Sequence, residues 1–168
     1  ADALLDFFAT RALPGVEQVD PATLTLRRTL RMAARGQDHC GWLETRLEPG
    51  ANRLMLRVSD GLVPVLPGVI ARVRAAFDLD AHPQAIDAVL HHDFPHSDGM
   101  RVPGTFDGFE LAVRAVMGQQ ITVRAARTLT TRLVERFGDP LPWGIAGLDR
   151  LFPTPATLAQ AEPAWLGE

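Results

Sequence analysis

The hydrophobic period of this chain switches from two to helical near Gly61, and that switch limits the fold more than any other feature. Residues 23–27 and 29–32 alternate apolar and polar at period two, as a half-buried strand does. Residues 40–47 alternate in the same way, and Pro49, Gly50, Ala51 and Asn52 supply a turn. In the next strand Leu54, Leu56 and Val58 share one face, with Arg53, Met55 and Arg57 on the other. Three successive strands with short turns predict an antiparallel meander. Beyond the turn at residues 59–61 the period becomes helical. Leu66, Val69, Ile70, Val73 and Phe77 fall on one face, and a shorter helix carrying Ile86, Val89 and Leu90 follows over 83–90. From Phe106 onward every pattern is helical. An N-terminal helix over 3–13, with Leu4, Leu5, Phe7, Phe8 and Ala12 on its apolar stripe, is stopped by Pro14 and Gly15. The predicted class is α+β: an antiparallel sheet packed with helices, then an all-helical part. The loop 91–104, rich in His, Asp, Pro and Gly, marks the boundary, giving an N-terminal unit over 1–80 and a helical unit over 81–168.

At 168 residues the chain is long enough to bury a substantial core. No apolar run approaches the roughly 20 residues that span a bilayer, and no secretory pattern is present. Cys40 is the sole cysteine, which excludes an internal disulfide or a multi-cysteine metal site and suits a reducing cytoplasm. With no acid and His beside it, Cys40 reads as a small half-buried strand residue rather than a reactive thiol. His91, His92, Asp93, His96 and Asp98 are all metal-ligand types, but adjacent histidines diverge and no regular helix aligns the rest. A solvated loop is the simpler reading, and neither a metal nor any other cofactor is expected.

The net charge is −3, yet all 17 basic residues are arginine. Both GC-rich coding and a need for bidentate phosphate contacts produce such a bias. Placement is more informative. Seven arginines lie between Arg27 and Arg57 against Asp38, Glu44 and Glu48, and four lie between Arg124 and Arg136 against Glu135. Two basic patches are therefore expected on an acidic protein. The missing initial Met and the helical patterns that run to both ends read as a chain cut from a longer one.

Residues 106–137 form two amphipathic helices interrupted only by Gly118, Gln119 and Gln120. Phe106, Phe109, Val113, Val116 and Met117 fall within a third of a turn and predict a core stripe; Ala126, Leu129, Leu133 and Phe137 do the same for the second helix. Gly118 is placed to close the first helix in a left-handed conformation, and Thr122 to cap the second. Arg124 lies nearly opposite the buried face, with Arg127 on its flank. The second helix's N-terminus adds partial positive charge and open N–H groups that suit a phosphate. Two long amides at such a tip fit a DNA contact. They also fit simple capping of orphan carbonyls, and the short turn with its second helix fits a helix-turn-helix regulator.

The segment FELAVRAVMGQQITVRAARTLTTRLVERFG, followed by LFPTPATLAQAEPAWL, resembles the AlkA type of DNA-3-methyladenine glycosylase II, in the helix-hairpin-helix–GPD superfamily. The N-terminal LLDFFATRALPGVEQV is similar to that family's N-terminal domain, so the resemblance runs collinearly along the chain. Thr154 also makes sense as a cap for a helix opened by Pro155, with Pro163 opening another. The resemblance implies a repair enzyme that extrudes alkylated bases such as 3-methyladenine from double-stranded DNA and hydrolyses the N-glycosidic bond. It places a wedge at Gln120, beside Gln119, to fill the gap in the stack; Arg124 and Arg127, beside that tip on the second helix, are the further residues expected to face DNA. It places Phe7 and Arg11 in the base pocket, Phe7 to stack and Arg11 to hydrogen-bond. The catalytic Asp and the DNA-gripping helix-hairpin-helix are expected beyond Glu168, so the 168 residues alone should not release methylated bases. A cytoplasmic monomer is expected, with an alkylation-response regulator upstream in some relatives. The non-enzyme alternative is a DNA-binding regulatory module, which would prefer a particular intact sequence over abasic or distorted DNA. A small-ligand domain would show no DNA affinity.

Overall fold

The computed structural model describes residues 2–162. The helix expected to open at Pro163 lies outside the described residues. The observed class is α+β. Helix α1 (Asp2–Arg11) precedes strands β1 (Glu17–Asp20), β2 (Thr25–Ala34), β3 (Gln37–Glu48) and β4 (Arg53–Val58). They form one antiparallel sheet in the order β1-β2-β3-β4. A 3-10 turn at Asp60–Val65 leads into α2 (Leu66–Ala76), α3 (Pro83–Leu90), α4 (Gly108–Met117), α5 (Val123–Phe137) and α6 (Pro155–Ala159).

The sheet thus has four strands where three were predicted. Strand β1 was missed because Glu-Gln-Val-Asp carries no alternation of its own; its pairing with β2, Glu17 opposite Arg28 and Val19 opposite Leu26, holds it in place. The core face carries Leu26 and Leu30 of β2, Leu43 of β3, and the half-buried Leu54, Leu56 and Val58 of β4. Leu4, Leu5 and Phe8 of α1 and Val69, Val73 and Ala76 of α2 pack onto it. Ile70, expected on that face of α2, is 42% exposed, because the buried stripe runs through Val69, Val73 and Ala76 and Ile70 lies about 100° round the helix from Val69. Gly41 is buried in β3, where a Cβ would run into the Ser59 hydroxyl and Leu62; its absence lets the 3-10 turn lie against the sheet.

An aromatic cluster links the sheet unit to the later helices. Phe8, Phe77 and Phe106 are all buried, with ring centroids 5.5 to 6.2 Å apart. Between α2 and Phe106 the chain makes an excursion in which α3 buries none of its residues. Arg101 Nη1 donates to Asp78 O at 2.7 Å, and Gly104 N to Ala76 O at 3.0 Å, tying the excursion back to α2. Within this loop the His91 ring nitrogen meets Asp98 at 2.8 Å, and among the described residues no three His, Cys, Asp or Glu side chains converge. The hydrogen bond to Asp98 raises the His91 pKa above its ordinary value. That contribution to stability is present below about pH 6.5 and is lost as pH rises through the folded value. In an NMR titration Asp98→Asn should lower the His91 midpoint, with Asp87 left as a weaker raising charge, and an unchanged midpoint would contradict the pairing.

No described helix is long and apolar enough to cross a membrane. Cys40 is half-buried on β3, and burial pushes its thiol pKa up, which disfavours the reactive thiolate.

Candidate nucleic-acid interface

Asp107 caps α4, accepting from Glu110 N at 2.9 Å, and Thr122 caps α5, accepting from Ala125 N at 3.2 Å. Between the two helices the chain reverses in five residues. The left-handed residue is not Gly118, whose φ is −86°, but Gln120, at φ +59°. Gly118 and Gln119 continue the right-handed turn of α4, with Gln119 N donating to Val116 O at 3.2 Å, so the reversal falls one step later. A non-glycine residue held in this region stores on the order of 1 kcal/mol of strain. The side chains of Gln119 and Gln120 are exposed and make no hydrogen bond among the described residues, so they do not cap the helix carbonyls. Gln120→Gly should therefore raise stability by roughly 0.5 kcal/mol in urea melts; a loss of 1 kcal/mol or more would contradict the assigned backbone geometry.

Beside the tip lies a cleft of about 460 Å³. Gly118, Ile121 and Val123 border it on the hairpin side, and Phe7 and Arg11 of α1 on the other. Phe7 is half-buried, edge-on to Phe8, and carries the Arg11 guanidinium 3.8 Å from its ring centroid. Phe106, Arg28, Glu17, Glu110 and Arg114 also line the cleft. The structure thus brings the sequence-predicted residues Phe7 and Arg11 to one cavity that runs up to the Gln119–Gln120 turn.

The charged part of this lining is the element that sequence reasoning missed. Arg28 is 3% exposed, and its Nη1 and Nη2 donate to Glu17 Oε1 at 2.9 Å and Glu110 Oε2 at 2.6 Å. Arg114 Nη1 donates to Glu110 Oε1 at 2.7 Å and Glu17 Oε2 at 3.2 Å. Burial works against the charged form of Arg28, but the Glu110 and Glu17 carboxylates outweigh it, so its pKa is raised further. A signal was present: Arg28 shares the period-two face of Leu26 and Leu30, where a charge needs a buried partner. Glu110 and Arg114 are likewise spaced i, i+4 on α4. What the sequence withheld was that these two pairs meet.

The predicted basic patch at residues 27–57 is largely neutralised. Arg27 and Arg57 both reach Glu44, Arg46 and Arg53 both reach Glu48, and Arg31 pairs with Asp38 and Asp139. Strand register explains this, since Arg27, Glu44 and Arg57 stand opposite one another across three strands. On α5, Arg124 is exposed with no side-chain partner among the described residues, whereas Arg127 Nε donates to Ala12 O at 2.6 Å. Asp107 and Asp139 are engaged with Arg72 and Arg31 and Asp98 with His91, none of them lining the cleft.

The apolar stripe predicted for α4 is not a core. Val116 is 70% exposed and Val113 and Met117 are half-buried; with Leu129, Phe137 and Leu158 they line a second, apolar groove of about 870 Å³. Of the stripe only Phe106 is fully buried, and it precedes the helix. No described element covers that side of the hairpin, so periodicity identified an apolar face without identifying its cover. On α5, Leu133 is buried as expected, while Ala126, Leu129 and Phe137 are half-buried. Thr154 caps α6 as predicted, accepting from Thr157 N at 3.1 Å.

Comparison with known proteins gives a consistent picture. The family model for the AlkA N-terminal domain matches residues 1–107. DNA-3-methyladenine glycosylase 2 of Escherichia coli is 33% identical over 163 residues, covering 95% of this chain and 54% of that protein. A probable bifunctional transcriptional activator/DNA repair enzyme AlkA of Mycobacterium tuberculosis is 33% identical over 171 residues, covering 98% of this chain and 33% of the relative. The chain therefore spans about half, or less, of the length of these curated relatives. Among solved structures, MBOgg1 in complex with a low-affinity DNA ligand matches with a TM-score of 0.63 at 16% identity, covering 95% of this chain and 51% of that one. The Clostridium acetobutylicum 8-oxoguanine glycosylase/lyase bound to double-stranded DNA matches with a TM-score of 0.58 at 13% identity, covering 91% of this chain and 49% of that one. These two likenesses establish a shared fold.

Proposed function

We propose that this chain, which belongs to the AlkA N-terminal domain family, supplies the lesion-facing part of a DNA glycosylase that excises alkylated bases of the 3-methyladenine type. The observation that carries this reading is the cleft with Phe7 and Arg11 on one side and, on the other, Gly118 and Ile121, which flank the exposed turn of Gln119 and left-handed Gln120. Extruding a base leaves a gap in the stack and presents a loose planar ring, at a cost on the order of a few kcal/mol. Gln120 fills the gap and bonds to the orphaned partner base, with Gln119 beside it. The extruded ring enters the cleft and lies against Phe7, whose face attracts an electron-poor alkylated base. Arg11 donates to its edge, Arg124 meets phosphate at the start of α5, and the unused nitrogens of Arg127 do the same.

No carboxylate of the 168 residues is assigned to the hydrolytic step. Glu17 and Glu110 line the cleft but are held by Arg28 and Arg114. The catalytic Asp is proposed to lie beyond Glu168, and the 168 residues alone to be inactive on the glycosidic bond. The division into units 1–80 and 81–168 belongs to the same proposal, supported by the lapse of regular structure between α3 and α4. Cytoplasmic location and a monomeric state complete it.

The test is binding preference. The chain should bind a duplex with a central abasic-site analogue about tenfold more tightly than the same intact duplex, and Phe7→Ala should weaken binding to a duplex carrying an extrudable alkylated base. A preference for one intact sequence would point to a regulator instead, and no DNA affinity would remove the proposal.

A further inference from the structure

We infer that Arg114 of α4 and Arg127 of α5 are positioning residues that clamp the C-terminus of α1 to the hairpin and so set Phe7 and Arg11 in register with the Gln120 tip. The inference rests on the reading of the cleft as a base site. The last carbonyls of any helix lack intrahelical donors. In α1, Phe7 O is satisfied locally by Thr10 Oγ1 and Arg11 Nη1, and Ala9 O by Ala12 N. Arg11 O and Ala12 O receive no such local donor. Arg114 Nη2 donates to Arg11 O, and Arg127 Nε donates to Ala12 O at 2.6 Å.

Two consecutive orphan carbonyls are thus capped by two cations, one from each arm of the hairpin. A guanidinium at a helix C-terminus is favoured by charge as well as by hydrogen bonding. The clamp is anchored on its far side. Arg114 Nη1 also reaches Glu110 and Glu17, and Glu17 accepts from Leu13 N at 3.4 Å, so one of the carboxylates that hold Arg114 also grips the residue that follows the clamp. Arg11 sits at the clamp and Phe7 one turn before it, which makes their distance from the hairpin tip a property of these two arginines. Arg127 therefore acts on the base site through α1, as well as facing DNA.

The test combines hydrogen exchange with DNA binding on the 168-residue chain. Arg127→Met removes one donor from an exposed side chain without disturbing the buried carboxylates, and Arg127→Lys keeps a donor; Arg114→Met is the companion variant. Loss of a charge-assisted hydrogen bond should raise exchange across residues 8–13 about tenfold in Arg127→Met, leaving β2 protected, with Arg127→Lys intermediate. Affinity for a duplex carrying 1,N6-ethenoadenine, a fluorescent extrudable purine, should fall at least fivefold more than affinity for an abasic duplex. Unchanged exchange in α1 would overturn the clamp. A loosened α1 in which Arg127→Met keeps wild-type affinity for the ethenoadenine duplex would overturn the positioning role. A wild-type chain that binds modified and intact duplexes alike would overturn the base-site reading, while the exchange arm still decides whether the clamp exists.

Discussion

Replacing Arg28 by Met is expected to lower the unfolding free energy by about 3–5 kcal/mol, the range for removing one partner of a buried ion pair. Arg28 bridges Glu17 and Glu110 through its two terminal nitrogens, and all three are buried. Its loss leaves Arg114, which is only partly buried, as the remaining countercharge for two carboxylates. It also removes a guanidinium 4.7 Å from the Phe106 ring and a donor to Thr29 O. Urea denaturation of the variant measures the change directly. The variant Glu17→Gln, Arg28→Met, Glu110→Gln, which leaves no buried charge at those three positions, should recover much of the loss, because well-packed neutral replacements of buried ion pairs are often tolerated. A loss below about 1 kcal/mol for Arg28→Met would mean that water reaches the network and that the cleft floor is not built as described.

Phe106→Ala should cost a comparable amount, about 3–5 kcal/mol, by removing a buried aromatic side chain and leaving a cavity. Phe106 is 2% exposed and is the only residue between α3 and α4 in the central cluster with Phe8 and Phe77. Thermal melts should show the drop as a single cooperative transition. Because Arg28 lies over the Phe106 ring, the two substitutions should be less than additive in a double-mutant cycle. A loss under about 1.5 kcal/mol would contradict the assignment of Phe106 to the core.

These two residues also mark where the sequence was and was not legible. Several patterns that depend on one element and its immediate neighbours read correctly. Val69, Val73 and Phe77 were placed by helical period, Thr122 and Thr154 by local capping chemistry, and the β2–β3–β4 meander by alternation and turn residues. Where the answer depends on contacts distant in the chain, it was not legible. Arg28 and Glu110 are 82 positions apart, and nothing local says that they meet. Strand β1 is defined by its partner, and the exposure of Val116 by the lack of a described element over the second groove. The tip shows a third kind of limit. Gly118 was the residue best suited to a left-handed conformation, yet the structure places Gln120 there, at an energetic cost that local propensity opposes. Such conflicts between local preference and structure gather at functional or strained sites.

The most direct measurement of the central claim is the effect of Gln120→Ala on two affinities, for a duplex with a central abasic-site analogue and for the same duplex intact, at one salt concentration. If Gln120 fills the space left by an extruded base, the variant should lose about fivefold or more against abasic DNA and little against intact DNA. Equal weakening on both duplexes would contradict the account, leaving Gln120 as a general contact at a strained turn.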